Sequence, residues 1–255
     1  MNMEKKKMKV VWISGGVSSF IAGYLAKDVD KFIYIDVADQ HADTTRYIDD
    51  CEKILKRKIE RLTSTEYTCV EDCVLTFGGF RNAFNGFAPC TNWLKKRVRK
   101  NWEYKHQDYD LTYVWGFDQS EERRAENLLD TMPQFNHEFP LIYKCLSKQD
   151  VHAMSEDLGL KRPKMYDLGY NNNNCIGCVK GGAGYWNKIR VDFPEVFASR
   201  AALERKIGYS IIKGVFLDEL DPNAGKMSKE IMPECDIMCH LAWADSDSRS
   251  GKIQG

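Results

Sequence analysis

The fold of this chain is decided by one stretch near its N-terminus, residues 8–27, with the sequence MKVVWISGGVSSFIAGYLAK. The first six residues are mostly apolar and predict a short buried strand. Gly15 and Gly16 end that strand, and residues 18–27 have the composition of a helix. A strand that passes through glycines into a helix is one way in which proteins build a backbone cradle for phosphate.

The same alternation continues along the chain. Further strands are predicted at 31–37, 59–62, 110–115 and 139–142, and helices at 43–58, 120–129 and 148–158. Strands that alternate with helices indicate an α/β fold, a doubly wound, mostly parallel five-stranded sheet. Ligands of such sheets lie at the carboxyl ends of the strands, where Ser14, Asp36 and Gly116 fall.

The alternation stops after residue 160, which divides the chain into three predicted parts. Residues 8–160 are expected to form a nucleotide-binding α/β domain. Residues 161–243 are expected to form a cysteine-containing C-terminal region packed on it, with a helix near 195–206. Residues 244–255 are small and polar, and they predict a disordered tail.

Composition excludes several classes of protein. The chain has 255 residues, enough for a large core, and a formal net charge of zero, which is not typical of a nucleic-acid coat or a membrane binder. Its nine cysteines are odd in number, which argues against a closed disulfide framework. The apolar run after Lys5, Lys6 and Lys7 is too short for a signal peptide. We therefore expect a cytoplasmic protein with no membrane partner, in which free thiols serve metals or catalysis.

The glycine loop after the first strand carries three hydroxyl groups. It is neither a Walker loop nor a Gly-x-Gly-x-x-Gly fingerprint, and an ordinary strand-to-helix turn with a serine cap is the alternative. Its place at the first strand favours phosphate binding. The predicted nucleotide-binding residues are Ser14, Gly15, Gly16, Ser18, Ser19, Asp36 and Gly116.

A second motif lies at residues 174–182, with the sequence NCIGCVKGG. Cys175 and Cys178 are separated by two residues, so a tight turn places both sulfurs on one side, close enough to share a metal or cluster. The glycines let the backbone wrap closely around a bound group. A phosphate cradle and a thiolate turn in one chain favour nucleotide-linked sulfur chemistry.

A third motif joins Cys90 to a dense basic helix, TNWLKKRVRK. Cations beside a thiol favour the thiolate, and the same side chains bind phosphate or sulfate in other proteins. A solvated basic face is the alternative, and Trp93 and Trp102 leave open a nucleic-acid surface. The predicted phosphate- or sulfate-binding residues are Lys95, Lys96, Arg97 and Arg123.

Taken in order, these segments resemble the phosphoadenylyl-sulfate (PAPS) reductase family of adenine-nucleotide alpha-hydrolase folds, in particular its diverged phage- or mobile-element-type members. Residues 14–19 match the family's modified P-loop, Ser-Gly-Gly-x-Asp-Ser, and residues 116–123 resemble its Gly-x-Arg-x-x-Glu segment. Residues 139–178 resemble the block that precedes and includes the Cys-x-x-Cys turn. Glu234 and Cys235 resemble the C-terminal Glu-Cys-Gly-x-His motif. The resemblance spans roughly residues 10–241.

The resemblance implies a thiol-dependent reductase of adenylyl sulfate or of 3′-phosphoadenylyl sulfate. Cys235 would be the catalytic nucleophile and would carry an S-sulfonate after the nucleotide leaves. A thioredoxin-like thiol donor would then release sulfite. The basic residues Lys95, Lys96 and Arg97 would stabilise the thiolate.

The resemblance also implies a cofactor. Iron–sulfur members of the family hold a [4Fe-4S] cluster through cysteine pairs, and here the implied ligands are Cys90, Cys175, Cys178 and Cys239. Cys235 is the alternative fourth ligand, in which case the C-terminal segment is structural rather than catalytic. Zinc is the alternative metal, since both accept four thiolates.

Two other functions compete with the reductase. Ser18 replaces the aspartate of the family's P-loop, which weakens the prediction of an ATP pyrophosphatase because a carboxylate that helps to hold Mg²⁺ is missing. An ATP-dependent, adenylating sulfur or amide transferase that modifies a nucleobase in tRNA or DNA is nevertheless the second hypothesis. The third is a non-catalytic nucleotide-binding protein with a structural zinc ion.

Overall fold

The structure, a computed structural model, describes residues 5–81 and 88–230. Its centre is a five-stranded sheet in the order β3-β2-β1-β4-β5, and every pair of neighbours is parallel. The strands are β1 (Lys6–Ile13), β2 (Lys31–Ile35), β3 (Ile59–Leu62), β4 (Tyr109–Val114) and β5 (Asn136–Glu138). The predicted α/β class with a doubly wound parallel sheet is confirmed.

Helices cover both faces of this sheet. The first five are α1 (Val17–Leu25), α2 (Asp43–Leu55), α3 (Val70–Phe77), α4 (Pro89–Thr91) and α5 (Arg97–Lys105), with a π-helical turn at Asn92–Lys96 between the last two. The others are α6 (Glu122–Thr131), α7 (Pro140–Tyr143), α8 (Lys148–Asp157), α9 (Lys164–Asp167), α10 (Ala183–Asp192) and α11 (Pro194–Ile207). No helix within the described ranges is long and apolar enough to cross a membrane.

Strand β1 shows why the core lies on both faces. Side chains alternate along a strand, so Val11 and Ile13 point into one cluster of buried residues and Val10 and Trp12 into the other. All four are at least 95% buried. A strand buried on both sides needs apolar residues throughout, which is the pattern of residues 10–13.

The fifth predicted strand is misplaced. It was expected at 139–142, but β5 covers Asn136–Glu138 and pairs with β4 from Thr112 to Val114. Pro140 lacks the N–H that a sheet ladder needs and instead starts helix α7, where a missing N–H costs nothing. The apolar residues after it pack as a short helix.

The described chain ends in a segment that folds back along α10. We call residues 217–230 the C-terminal strap. Asn187 and Arg190, one turn apart on α10, each donate hydrogen bonds of 2.8 to 3.2 Å to two strap carbonyls. At Gly184 an added Cβ would lie 2.5 Å from the carbonyl carbon of Lys226, so the close contact requires glycine. The strap runs antiparallel to α10 and ends at the start of that helix.

Candidate functional site

The glycine loop joins β1 to α1 at the carboxyl edge of the sheet. In the sheet, β2 and β3 lie on one side of β1, and β4 and β5 lie on the other side. The strand order therefore reverses at β1, so the loop after β1 lies at the topological switch point. Gly15 has a φ of +84°, which favours glycine. The Ser19 hydroxyl donates to the carbonyl of Gly16 at 3.0 Å and accepts the N–H of Ser14 at 3.0 Å. Helix α1 begins without a side-chain cap, which suits an anion at its N-terminus.

Gly116, directly after β4 and its neighbour Trp115, lies against this loop. An added Cβ there would be 2.5 Å from the backbone nitrogen of Ser19, so a side chain does not fit. The structure therefore brings together two of the predicted nucleotide-binding segments. Ser18 and Ser19 are both buried beside them.

The acidic residues after Gly116 have a structural role. Asp118 is buried and accepts the N–H of Ser120 at 2.8 Å, while Glu121 accepts the N–H of Asp118 at 3.2 Å. This capping box starts the turn that leads into α6. Arg123, a predicted sulfate-binding residue, is exposed on α6.

Asn173 connects the glycine loop to the cysteine turn. Its amide nitrogen donates to the carbonyl of Gly15 at 2.9 Å and to the hydroxyl of Thr44 at 3.1 Å. The side chain is buried, and Cys175 follows two residues later. The glycine loop is therefore joined by a hydrogen bond to the segment that leads into the cysteine turn. The sequence reasoning missed Asn173, although the run of asparagines at 171–174 was a signal.

Tyr185 shapes the cysteine turn. Its hydroxyl accepts the N–H of Cys178 at 3.0 Å and donates to the carbonyl of Cys175 at 3.3 Å. Burial and the neighbouring thiol of Cys178 raise the pKa of Tyr185 well above its usual range, so the hydroxyl keeps its proton. Cys175 and Cys178 are both buried. Residues 176–177 form a turn between the two cysteines. That both sulfurs lie on one side of it, close enough to share a metal, stays a prediction.

Asp39 anchors that turn to the sheet. Its carboxylate pairs with Arg200 of α11 at 2.5 Å and accepts the N–H of Val70 at 2.7 Å. Its backbone carbonyl accepts the N–H of Ile176 at 2.8 Å. Both members of the ion pair are buried, with side-chain exposures of 9% and 6%. A loop after β2 thus fixes the cysteine turn, α3 and α11 together.

Asp36, the remaining predicted nucleotide-binding residue, follows β2 at the same edge of the sheet. Its carboxylate is exposed, and the Tyr34 hydroxyl lies 3.4 Å from Asp36 Oδ1 and 2.6 Å from Gln40 Oε1. Burial and the charge of Asp36 raise the pKa of Tyr34, which keeps its hydroxyl a donor.

The alternative of a solvated basic face does not hold for two residues of the basic helix. Lys95 and Lys96 are only 6% and 4% exposed. They belong to the π-helical turn, whose extra residue shifts the helix register and directs both side chains inward. Arg97 is exposed and pairs with Glu66 at 3.3 Å.

Trp102 does not form the predicted nucleic-acid surface. It is buried, meets Trp12 edge to face at 5.6 Å and stacks on His106 at 3.8 Å. Trp102 is therefore part of the hydrophobic core.

The predicted metal ligands are only partly described. Cys90 is half-buried and packs against the same core cluster as Cys175 and Cys178. Within residues 5–81 and 88–230, no three His, Cys, Asp or Glu side chains are grouped to hold a metal ion. Cys235, Cys239 and the predicted tail at 244–255 lie outside the described residues. The [4Fe-4S] cluster and its zinc alternative stay predictions.

Comparisons with known proteins find similarity among solved structures. No protein-family model matches the chain, and no curated protein matches it. Among solved structures, the chain is similar to the phosphate complex of phosphoadenylyl-sulfate (PAPS) reductase from Candida auris, with 13% sequence identity and a TM-score of 0.48. The match covers 68% of this chain and 82% of that chain. The neighbour is named for the family that the sequence resembles, but similarity at this level identifies neither a substrate nor a reaction.

Proposed function

We propose that the chain is a thiol-dependent reductase of adenylyl sulfate or 3′-phosphoadenylyl sulfate. One observation carries the proposal, the hydrogen bond from Asn173 to the carbonyl of Gly15. It joins a loop suited to phosphate with a turn that carries two thiols. A nucleotide whose phosphate occupies that loop has its reactive end beside the cysteine-bearing part of the chain.

Two features support an anionic substrate. The N-terminus of α1 has no side-chain cap, so its N–H groups and helix dipole suit a phosphate. Lys95 and Lys96, two of the predicted phosphate- or sulfate-binding residues, are buried. A sulfate or phosphate is bound more strongly by cations in a site with little water than by cations on the surface.

The strap supports Cys235 as the nucleophile. The Glu230 carboxylate accepts the N–H of Gly182 at 3.2 Å and that of Gly184 at 2.9 Å, so the described chain ends beside the turn that contains Cys178. Cys235 follows five residues later. Five residues reach at most about 18 Å, so Cys235 lies within about 18 Å of Glu230 and of the start of α10.

The proposed reaction has two stages. The Cys235 thiolate attacks the sulfur of the sulfated nucleotide, a sulfur–sulfur bond forms, and the sulfur–oxygen bond breaks as the nucleotide leaves with the electron pair on its phosphate oxygen. A thiolate of a dithiol donor then attacks the sulfur of Cys235 and displaces sulfite. The donor's second thiol resolves the mixed disulfide, so the donor is oxidised and Cys235 is regenerated.

Intact-mass analysis tests this proposal. Anaerobically purified protein is incubated separately with adenylyl sulfate, 3′-phosphoadenylyl sulfate and ATP. We expect a sulfonate-sized mass gain on Cys235 with one of the sulfated nucleotides, absent in Cys235→Ser and retained in Cys145→Ser, since Cys145 is an exposed thiol elsewhere.

The absence of any adduct with both sulfated nucleotides would refute the reductase. Release of pyrophosphate in the ATP incubation, without an adduct, would instead support the ATP-dependent transferase of the second hypothesis.

A further inference from the structure

An open groove of about 780 Å³ lies between α8 and α9, beside the residues that contact the glycine loop. We call it the α8–α9 groove, and the side chains that define it are Lys148, His152, Arg162, Tyr166, Asn172 and Glu230. Asn172 forms part of its wall, and the next residue, Asn173, contacts Gly15. The groove therefore borders the proposed nucleotide site without being part of it.

The polar groups of the groove mostly present hydrogen-bond donors. The Lys148 ammonium donates to the carbonyl of Asn171 at 2.8 Å and to Asn172 Oδ1 at 3.0 Å, which uses two of its three N–H bonds. Glu230 contributes a carboxylate, but both of its oxygens accept backbone N–H groups at the start of α10. Its negative charge is thus directed at the helix N-terminus. Arg162 pairs with Asp167 at 2.8 Å, so the positive potential of the groove depends mainly on Lys148 and on the neighbouring Lys161 and Lys164.

Basic side chains extend beyond the groove on a fixed backbone. Residues 161–164 have the sequence Lys-Arg-Pro-Lys. Arg46 of α2 donates to the carbonyls of Lys161 and Arg162 at 3.0 and 3.1 Å, and the N–H of Lys164 donates to Asp43 at 2.8 Å. These hydrogen bonds hold the backbone of the segment against α2, and the side chains of Lys161 and Lys164 are exposed.

An aromatic pair lines the same groove as Lys148 and Arg162. The rings of His152 and Tyr166 meet edge to face with centroids 5.0 Å apart. Burial, together with the positive charges of Lys148 and Arg162, lowers the pKa of His152, so the imidazole is neutral at pH 7. Cations beside an aromatic surface are the arrangement that single-stranded nucleic acids use, with phosphates on the cations and bases on the rings.

We propose that the α8–α9 groove binds single-stranded nucleic acid, with its phosphates along Lys148 and residues 161–164 and a base against the His152–Tyr166 pair. A polymer fits better than a small molecule because the groove is open and basic residues continue past its rim, whereas small-ligand pockets are enclosed. The proposal goes beyond the reductase and does not depend on it.

Fluorescence anisotropy with a labelled oligothymidylate of about 12 nucleotides tests the proposal across a range of salt concentrations. The first variant combines Lys161→Gln, Arg162→Gln and Lys164→Gln. Each lost phosphate contact on a single strand should reduce the slope of log affinity against log salt by about 0.7, so we expect a reduction of about 2. The matched control combines Lys53→Gln, Lys56→Gln and Lys58→Gln, three cations around a separate groove of about 460 Å³ on α2.

A second variant separates stacking from charge. Tyr166→Leu should weaken binding roughly tenfold at every salt concentration and leave the slope unchanged. Circular dichroism confirms that each variant is folded before its affinity is interpreted. Equal loss in the two triple variants, no binding by the wild-type protein, or equal competition by a mononucleotide would each overturn the proposal. None of these readouts requires sulfonate chemistry, so failure here is distinct from failure of the reductase.

Discussion

The substitution Arg200→Met tests the buried ion pair that anchors the cysteine turn. Arg200 and Asp39 meet at 2.5 Å with side-chain exposures of 6% and 9%. Methionine fills much of the volume of the arginine stem but removes the charge. The Asp39 carboxylate would then keep the N–H of Val70 as a partner while its negative charge is no longer neutralised.

The expected cost follows from that uncompensated charge. Removing one member of a buried pair costs about 3–5 kcal/mol, because the remaining ion stays desolvated without its counter-charge. For a protein of this size each kcal/mol lowers the melting temperature by about 2–4 °C, so we expect a fall of roughly 6–20 °C. Thermal unfolding by circular dichroism measures the fall.

A double variant provides the control. Combining Asp39→Asn with Arg200→Met removes both charges and should recover at least half of the lost stability, since no buried charge remains. Alkylation of Cys175 and Cys178 under native conditions should accelerate in Arg200→Met, because Asp39 also holds the backbone of Ile176. A double variant no more stable than Arg200→Met, or a single variant that loses less than about 1 kcal/mol, would refute the reasoning.

Three further predictions concern single side chains. Tyr185→Phe removes the hydroxyl that bridges the cysteine turn and should cost about 1–3 kcal/mol in urea unfolding, whereas an unchanged midpoint would contradict that bridging role. Gly116→Ala places a Cβ 2.5 Å from the backbone of Ser19, so nucleotide affinity measured by calorimetry should fall at least tenfold, and wild-type affinity would show that the loop does not bind nucleotide. Burial lowers the pKa of His137, whose Nδ1 accepts the Trp115 N–H at 2.9 Å. The unfolded state therefore takes up the proton first, and stability should fall as the pH drops below about 6.5. The fall should be smaller in His137→Gln, where only His152, whose pKa burial also lowers, still contributes in this range.

The fold was largely predictable because its signals are local. Runs of apolar residues predicted four of the five strands, and helical spacing predicted the helices between them. The glycine loop marked the carboxyl edge of the sheet. The failure at 139–142 shows the limit of such patterns. A short apolar run is compatible with either a strand or a helix. Here Pro140 has no N–H to donate to a sheet ladder, so the run forms a helix that begins at this proline.

The site was less predictable because its contacts are distant in sequence. Asp39 and Arg200 are 161 residues apart, and neither has a local feature that identifies the other. Asn173 reaches Gly15 across 158 residues. The burial of Lys95 and Lys96 depends on a π-helical turn, which charge composition does not reveal. Spacing within a motif therefore located the thiols and the loop, and only the folded chain showed what connects them.

The asparagine run at 171–174 links the proposed activities. The carbonyl of Asn171 and the side chain of Asn172 accept hydrogen bonds from Lys148 in the α8–α9 groove. The side chain of Asn173 donates one to the carbonyl of Gly15 in the glycine loop. These residues are consecutive, and three of the four side chains in the run are buried, so a ligand that shifts one contact also shifts the next. Coupling between binding sites is reciprocal. An oligonucleotide in the groove should therefore change the affinity of the loop for a nucleotide by the same factor as the nucleotide changes the affinity of the groove.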